Sequence, residues 1–172
     1  MYPSGMAEAA NKKTVVIAYD GSDCAKEAMK FFADQVYLPT DVVYVVYCVE
    51  LDDIIKTERI MYRLSEEGVN ISLDHDILRE MVQKEIDKIK KRLMEFATYM
   101  QEIKLNGTVK SIQSSSPGPG VIDLANRSNA ALIVAGSRGH GSIRRTILGS
   151  VSGYILHHSN IPVMIVPHHK QH

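Results

Sequence analysis

"TVVIAYDGS", residues 14–22, is a short β-branched run stopped by Asp-Gly-Ser. A strand with one wet face alternates apolar and polar residues, and this run does not. "DVVYVVYCVE", residues 41–50, is built the same way. Unbroken apolar runs of this length suit strands covered on both faces, as in a parallel sheet. Between them Ala25, Ala28, Met29, Phe32 and Val36 recur at intervals of three and four, and Ser22 or Asp23 stands where a cap would close the first turn. The chain therefore opens β-α-β.

Outward from this unit the alternation continues. Residues 51–73 show no sustained period and read as a partly helical excursion without a fixed place. From about Asp74, Leu78, Val82, Ile86, Ile89, Leu93, Ala97, Met100 and Ile103 fall about 3.6 residues apart, which predicts a long helix lying with one stripe on the sheet and its charges in solvent. "GTVKSIQ" at 107–113 reads as a third strand, and "SSSPGPG" at 114–120 as a loop whose Pro119 begins the next helix. "AALIVAG" at 130–136 is the fourth strand, "SVSGYILHH" at 150–158 the fourth helix and "IPVMIVP" at 161–167 the last strand. Strands and helices alternating in this way predict a single-domain α/β fold, an open five-stranded parallel sheet with helices on both faces.

Composition narrows the function classes. Twenty basic residues balance twenty acidic ones, so no global field draws nucleic acid or an anionic membrane, and any anion site must be local. The longest apolar runs fall far short of the roughly 20 residues of a membrane helix, and "MYPSGMAEAANKK" lacks the apolar core of a signal peptide. A cytoplasmic location is expected. Cys24 and Cys48 form no C-x-x-C pair and are expected to be reduced thiols. Residues 1–12 read as a disordered leader, 13–167 as the domain and 168–172 as a flexible tail, with His168, His169 and His172 loose.

In open α/β sheets ligands bind outside the carboxyl ends of strands where the strand order reverses. The common five-strand orders are 2-1-3-4-5 and 3-2-1-4-5, and in the second the reversal falls between strands one and four, which end in Asp20 and Gly136. The stretch "GSRGHGSIRRTILGS", residues 136–150, starts at that crevice. Glycines let backbone N–H groups approach an anion closely, and the helix start near Ser150 offers unpaired N–H groups with a partial positive charge. Phosphate suits such a place. Arg138, Arg144 and Arg145 could add charge, although most of them are expected to face solvent.

Other phosphate loops do not fit. Gly136 and Gly141 have the Walker spacing, but Ser142 and Ile143 stand where lysine and a hydroxyl residue belong. "YDGSDC" after the first strand lacks the later glycines of a dinucleotide loop. A phosphoacceptor receiver needs an aspartate after the third strand, where "SIQSSS" has none.

Gly136, Gly139 and the Gly149–Ser150 pair, at intervals of two and nine residues, resemble the spaced glycine motif of ATP-binding universal stress proteins. "LGSVSGYILHHSNIPVMIVP" is similar to that family's carboxyl-terminal block, and residues 13–167 follow its element order. The resemblance implies the 3-2-1-4-5 sheet, a nucleotide alpha hydrolase-like fold, and an adenine nucleotide, ATP or AMP or ADP with possible magnesium, across the reversal. It implies that the backbone at Ala18 and Tyr19 and the side chain of Asp20 meet adenine and ribose, with Cys48 lining the adenine pocket. Gly136 and Gly139 would hold ribose and the first phosphates beside Arg138, and Gly149, Ser150, Val151 and Ser152 the distal ones. Ala135 and Ala131 depart from the family's frequent methionine and aspartate, which bears on strand packing.

Each of these residues also has a purely structural reading. Gly136 and Gly149 could end a strand and begin a helix, Ser150 could cap, Asp20 could organise its turn, and Cys48 could be core. His157 and His158 would complement a helix carboxyl end. For function, the sequence favours a nucleotide-responsive regulatory module over a slow magnesium-dependent ATPase, because His140 is the one titratable candidate base near the motif. A scaffold that ignores nucleotide is the third reading. The family resemblance implies a homodimer formed by antiparallel pairing of the last strand, 162–167.

Overall fold

The structure, a computed structural model, describes residues 12–49, 75–114, 116–138 and 148–168. The unplaced excursion at 51–73 lies outside them. Along the chain run β1 (Thr14–Ala18), α1 (Asp23–Gln35), β2 (Val42–Val49), α2 (His75–Glu102) and β3 (Thr108–Gln113). α3 (Pro117–Arg127), β4 (Leu132–Gly136), α4 (Ser150–His158) and β5 (Val163–Val166) complete it. The strands are parallel in the order β3-β2-β1-β4-β5, so the reversal falls between β1 and β4.

The missing alternation in β1 has a direct cause. Val15 and Ile17 pack with Ala25, Ala28, Met29 and Phe32 of α1 and with Phe96 and Met100 of α2. Val16, between them, faces Val121 and Ala125 of α3 and Ile155 of α4. Both faces are dry, and all three strand residues are wholly buried. Each such side chain contributes on the order of 1.5–3 kcal/mol.

The α1 cap resolves to Ser22, whose Oγ accepts the Ala25 N–H at 3.2 Å. Before it the chain turns at Gly21, whose φ of +83° favours glycine, and Asp20 Oδ1 accepts the Ser22 N–H at 2.9 Å. Ser22→Ala is expected to cost about 1 kcal/mol. That loss should lower the thermal unfolding midpoint, followed by circular dichroism, by about 2–4 °C.

Two expectations need correction. α2 does not lie on the sheet along its whole stripe. Leu93, Phe96, Tyr99, Met100 and Ile103 pack on the α1-side core, whereas Ile86 is 39% exposed. A helix of 28 residues is about 42 Å long, and the 8 residues of β2 span about 27 Å, so α2 overhangs the sheet. α3 begins at Pro117 rather than Pro119, with Ser116 at the cap. Both prolines sit in the first turn, where the missing N–H would lack an intrahelical acceptor anyway.

Candidate functional site

Local geometry at the carboxyl ends of β1, β2 and β4 builds a cleft of about 940 Å³. Ala18, Tyr19 and Asp20 leave β1 along one wall, and Cys48 stands on it near the end of β2. Gly136 and Arg138 follow β4, and Gly149, Ser150, Val151 and Ser152 bring in the start of α4. The cleft therefore collects every expected site residue that falls among the described ones. Gly139 lies outside the described residues, as do His140, Arg144 and Arg145.

Several of these residues are already bonded within the fold. The Tyr19 N–H donates to Val46 O at 2.9 Å, and its ring meets Phe96 edge-on at 4.6 Å. Burial, and then the neighbouring Tyr99, Asp20 and Asp23, push the Tyr19 phenol far up, so it stays neutral. Asp20 does organise its turn through one carboxylate oxygen, as its structural reading held. Cys48 is half-buried, with its thiol 3.7 Å from Ser114 O.

Gly136 has a packing reason that the sequence did not suggest. A Cβ there would stand 2.6 Å from Cys24 O and 2.7 Å from Cys24 C, so the first turn of α1 rests directly on the end of β4. The Cys24 thiol is pushed up chiefly by burial and then by Glu27, with Arg138 acting the other way. It is held as the thiol, a poor nucleophile.

Gly149 rather than Ser150 occupies the N-cap of α4, and no side chain caps it. Ser150, read both as a cap and as a ligand, is an exposed first helical residue that lines the cleft. The Gly149 N–H is spent on Ser137 O at 2.7 Å. Ser152, 3% exposed, has its Oγ 3.2 Å from both Ser137 O and Gly149 O. One hydroxyl proton is thus divided between two carbonyls. The first-turn N–H groups of Ser150, Val151 and Ser152 have no acceptor within α4 and carry its positive end.

α2 adds residues that periodicity concealed. Lys88 and Arg92, read as part of a solvated face, line the same cleft together with Glu85 and Ile89. Arg92 Nη1 donates to the Tyr47 hydroxyl at 3.0 Å, and its guanidinium lies 5.6 Å from the Tyr47 ring centre. Lys88 pairs with Glu85. Other α2 charges do form surface pairs, such as Lys84 with Glu80 at 2.8 Å.

The histidines divide. His157 and His158 end α4, and His158 Nδ1 lies 2.9 Å from Tyr154 O. His168 is not loose: its N–H donates to Ser137 Oγ at 3.2 Å and its Nδ1 lies 2.9 Å from Glu27 Oε2. His169 and His172 lie outside the described residues. Among the described residues no group of three or more His, Cys, Asp or Glu side chains could hold a metal, and no helix is long and apolar enough to cross a membrane. What the cleft offers is an apolar wall where β1 and β2 end, a carboxylate at Asp20 and a ring of backbone donors at α4.

Comparison with known proteins gives a concordant result. Residues 12–167 match the model of the universal stress protein family. The chain is 28% identical over 154 residues to the universal stress protein MJ0531 of Methanocaldococcus jannaschii, covering 90% of this chain and 81% of that one. Its fold is similar to that of a universal stress protein family protein from Arabidopsis thaliana solved with AMP bound, at a TM-score of 0.59 and 16% identity over 91% of this chain and 92% of that one. It is also similar to the Archaeoglobus fulgidus universal stress protein in complex with dAMP, at a TM-score of 0.56 and 22% identity over 90% and 96% of the two chains.

Proposed function

Because the chain belongs to the universal stress protein family, we propose that its cleft binds an adenine nucleotide and that the protein works as a nucleotide-responsive regulatory module. The observation that carries this reading is the convergence of Asp20, Gly136 and the first turn of α4 on one cleft at the sheet's reversal. Three parts of a nucleotide find three kinds of partner. The base suits the wall formed by Ala18, Val46 and Cys48, the ribose hydroxyls suit Asp20, and phosphate suits the N–H groups of Ser150, Val151 and Ser152. Relatives of this fold solved with AMP and dAMP support the ligand class. ATP with magnesium is the physiological form proposed, its first phosphate beside Gly136 and Arg138 within reach of the α4 N–H groups and its distal phosphates further along Gly149, Ser150, Val151 and Ser152.

Regulation is favoured over turnover because phosphoryl transfer needs a positioned water and strong charge stabilisation, and His140 is the one titratable candidate base beside the glycine motif in the sequence. Binding at 100 times the dissociation constant would stabilise the fold by about 2.7 kcal/mol. Assembly belongs to the same proposal. β5 is an edge strand, and Val163, Met164 and Ile165 are half-buried, so antiparallel pairing with a second copy would cover them. Sedimentation at twice the chain mass is the expected result, and a monomer at micromolar concentration would reject the pairing.

The direct test is mass spectrometry of small molecules released when freshly purified protein is denatured, followed by calorimetry with AMP and ATP. Adenine nucleotide should be released or should bind. Absence of both would overturn the reading, and phosphate release from ATP and magnesium that disappears in Ser150→Ala would replace the module with an ATPase.

A further inference from the structure

Between the cleft and the end of β5 stands Ser137, which nothing in the sequence singled out. It is 7% exposed and does not line the cleft, yet hydrogen bonds converge on it from three elements. Its N–H donates to Val166 O of β5 at 2.8 Å. Its carbonyl accepts the Gly149 N–H at 2.7 Å and the Ser152 hydroxyl at 3.2 Å. Its own hydroxyl accepts the His168 N–H at 3.2 Å, and the His168 ring meets Glu27 of α1 at 2.9 Å. The end of β4, the first turn of α4 and the chain leaving β5 are fastened to one residue.

We propose that Ser137 sets the position of the first turn of α4 and thereby couples the phosphate end of the cleft to the segment that leaves β5. This rests on the reading of the cleft as a nucleotide site. Backbone donors act on an anion through distance and direction, and a hydrogen bond weakens steeply as its angle closes. A close-packed interior passes small displacements on instead of absorbing them. Movement at Pro167 and His168 pulls on the Ser137 hydroxyl, while the carbonyl of the same residue carries Gly149. Ser137 is thus a positioning residue that touches no ligand. An event that repositions the segment after β5 changes the affinity for the nucleotide's phosphate, and by linkage the bound nucleotide changes that segment by the same factor.

The test is calorimetry of the full chain with two probes, AMP and adenosine, which differ in the phosphate. Ser137→Ala removes the hydroxyl acceptor, His168→Pro removes the N–H donor, and His168→Ala keeps that donor but loses the ring. Ser137→Ala and His168→Pro should each weaken AMP about tenfold and adenosine less than about twofold, with the double variant no worse than the poorer single one. His168→Ala should keep AMP affinity within about twofold of wild type. Unchanged AMP affinity in Ser137→Ala, equal losses for AMP and adenosine, additive losses in the double variant, or a loss in His168→Ala as large as in His168→Pro would each overturn the coupling. Wild-type protein that binds neither AMP, adenosine nor ATP would overturn the nucleotide reading itself, and this inference with it; if ATP alone binds, ATP replaces AMP in the same comparison. If Ser137→Ala fails to fold, the AMP-to-adenosine ratio in His168→Pro still decides.

Discussion

Gly136→Val is expected to lose about 3 kcal/mol of folding stability, the upper end of the usual cost of overpacking. The thermal midpoint should fall by about 6–12 °C at this chain length. The atoms that a Cβ would strike are all backbone: Cys24 O at 2.6 Å, Cys24 C at 2.7 Å and Ala25 N at 3.1 Å. A side chain could rotate away, but a helix turn cannot. α1 is pinned from the other direction by Ala25, Ala28, Met29 and Phe32 in the core and by the Ser22 cap. β4 is pinned by its neighbours, with Val134 paired to Ile17 and Gly136 to Val166. Relief would require prising helix and sheet apart. The control is Gly153→Ala in α4, where among the described residues a Cβ would meet only the Leu148 side chain, at 3.5 Å. That change should be neutral or gain up to about 1 kcal/mol from helix propensity. Denaturant titration of both variants checks the pair, and a Gly136→Val midpoint equal to wild type would contradict the spacing between α1 and β4.

The contrast between these two glycines shows how far local pattern reaches. Runs such as "TVVIA" report that a segment is dry on both faces, because burial on each side removes any need for polar residues. Hence β1, β2, α1 and the whole of α4 were legible in one dimension. The cleft was legible for a related reason: a parallel sheet brings the carboxyl ends of its strands together, so Asp20 and Gly136 share a rim once the order is known. That order needed the family resemblance, since periodicity says what is dry and not what it faces. Arg92 was hidden by the same limit. Its charge looks solvated from its neighbours on α2, and only the placement of α2 beside Tyr47 brings it to the cleft. Ser137 was hidden because its hydrogen bonds reach 12, 15, 29 and 31 residues along the chain, to Gly149, Ser152, Val166 and His168. Pro117 was missed for the opposite reason: two prolines two residues apart both satisfy the rule for a helix start, and nothing local chooses between them.

A carboxylate at position 150 should move stability and binding in opposite directions. Ser150 is the first residue of α4, exposed, with its hydroxyl making no cap. Ser150→Asp places a negative charge at the positive end of the helix, which stabilises by about 0.3–1 kcal/mol and should leave the thermal midpoint equal or slightly raised. In the proposed site the same charge stands beside the nucleotide's phosphate. Two unit charges about 5 Å apart at an effective dielectric of about 20 repel by roughly 3 kcal/mol, and phosphate carries more than one. Even after screening at an exposed position, AMP affinity should fall about 100-fold, while adenosine, which lacks the phosphate, should lose far less. Calorimetry with both ligands and a thermal scan without either read the two effects separately. A variant that merely damaged the fold would lower the midpoint and both affinities together. One that kept full AMP affinity would show that phosphate does not sit at the start of α4. Added salt should recover part of the lost AMP affinity, because the repulsion lies at the surface, whereas a steric defect would not respond.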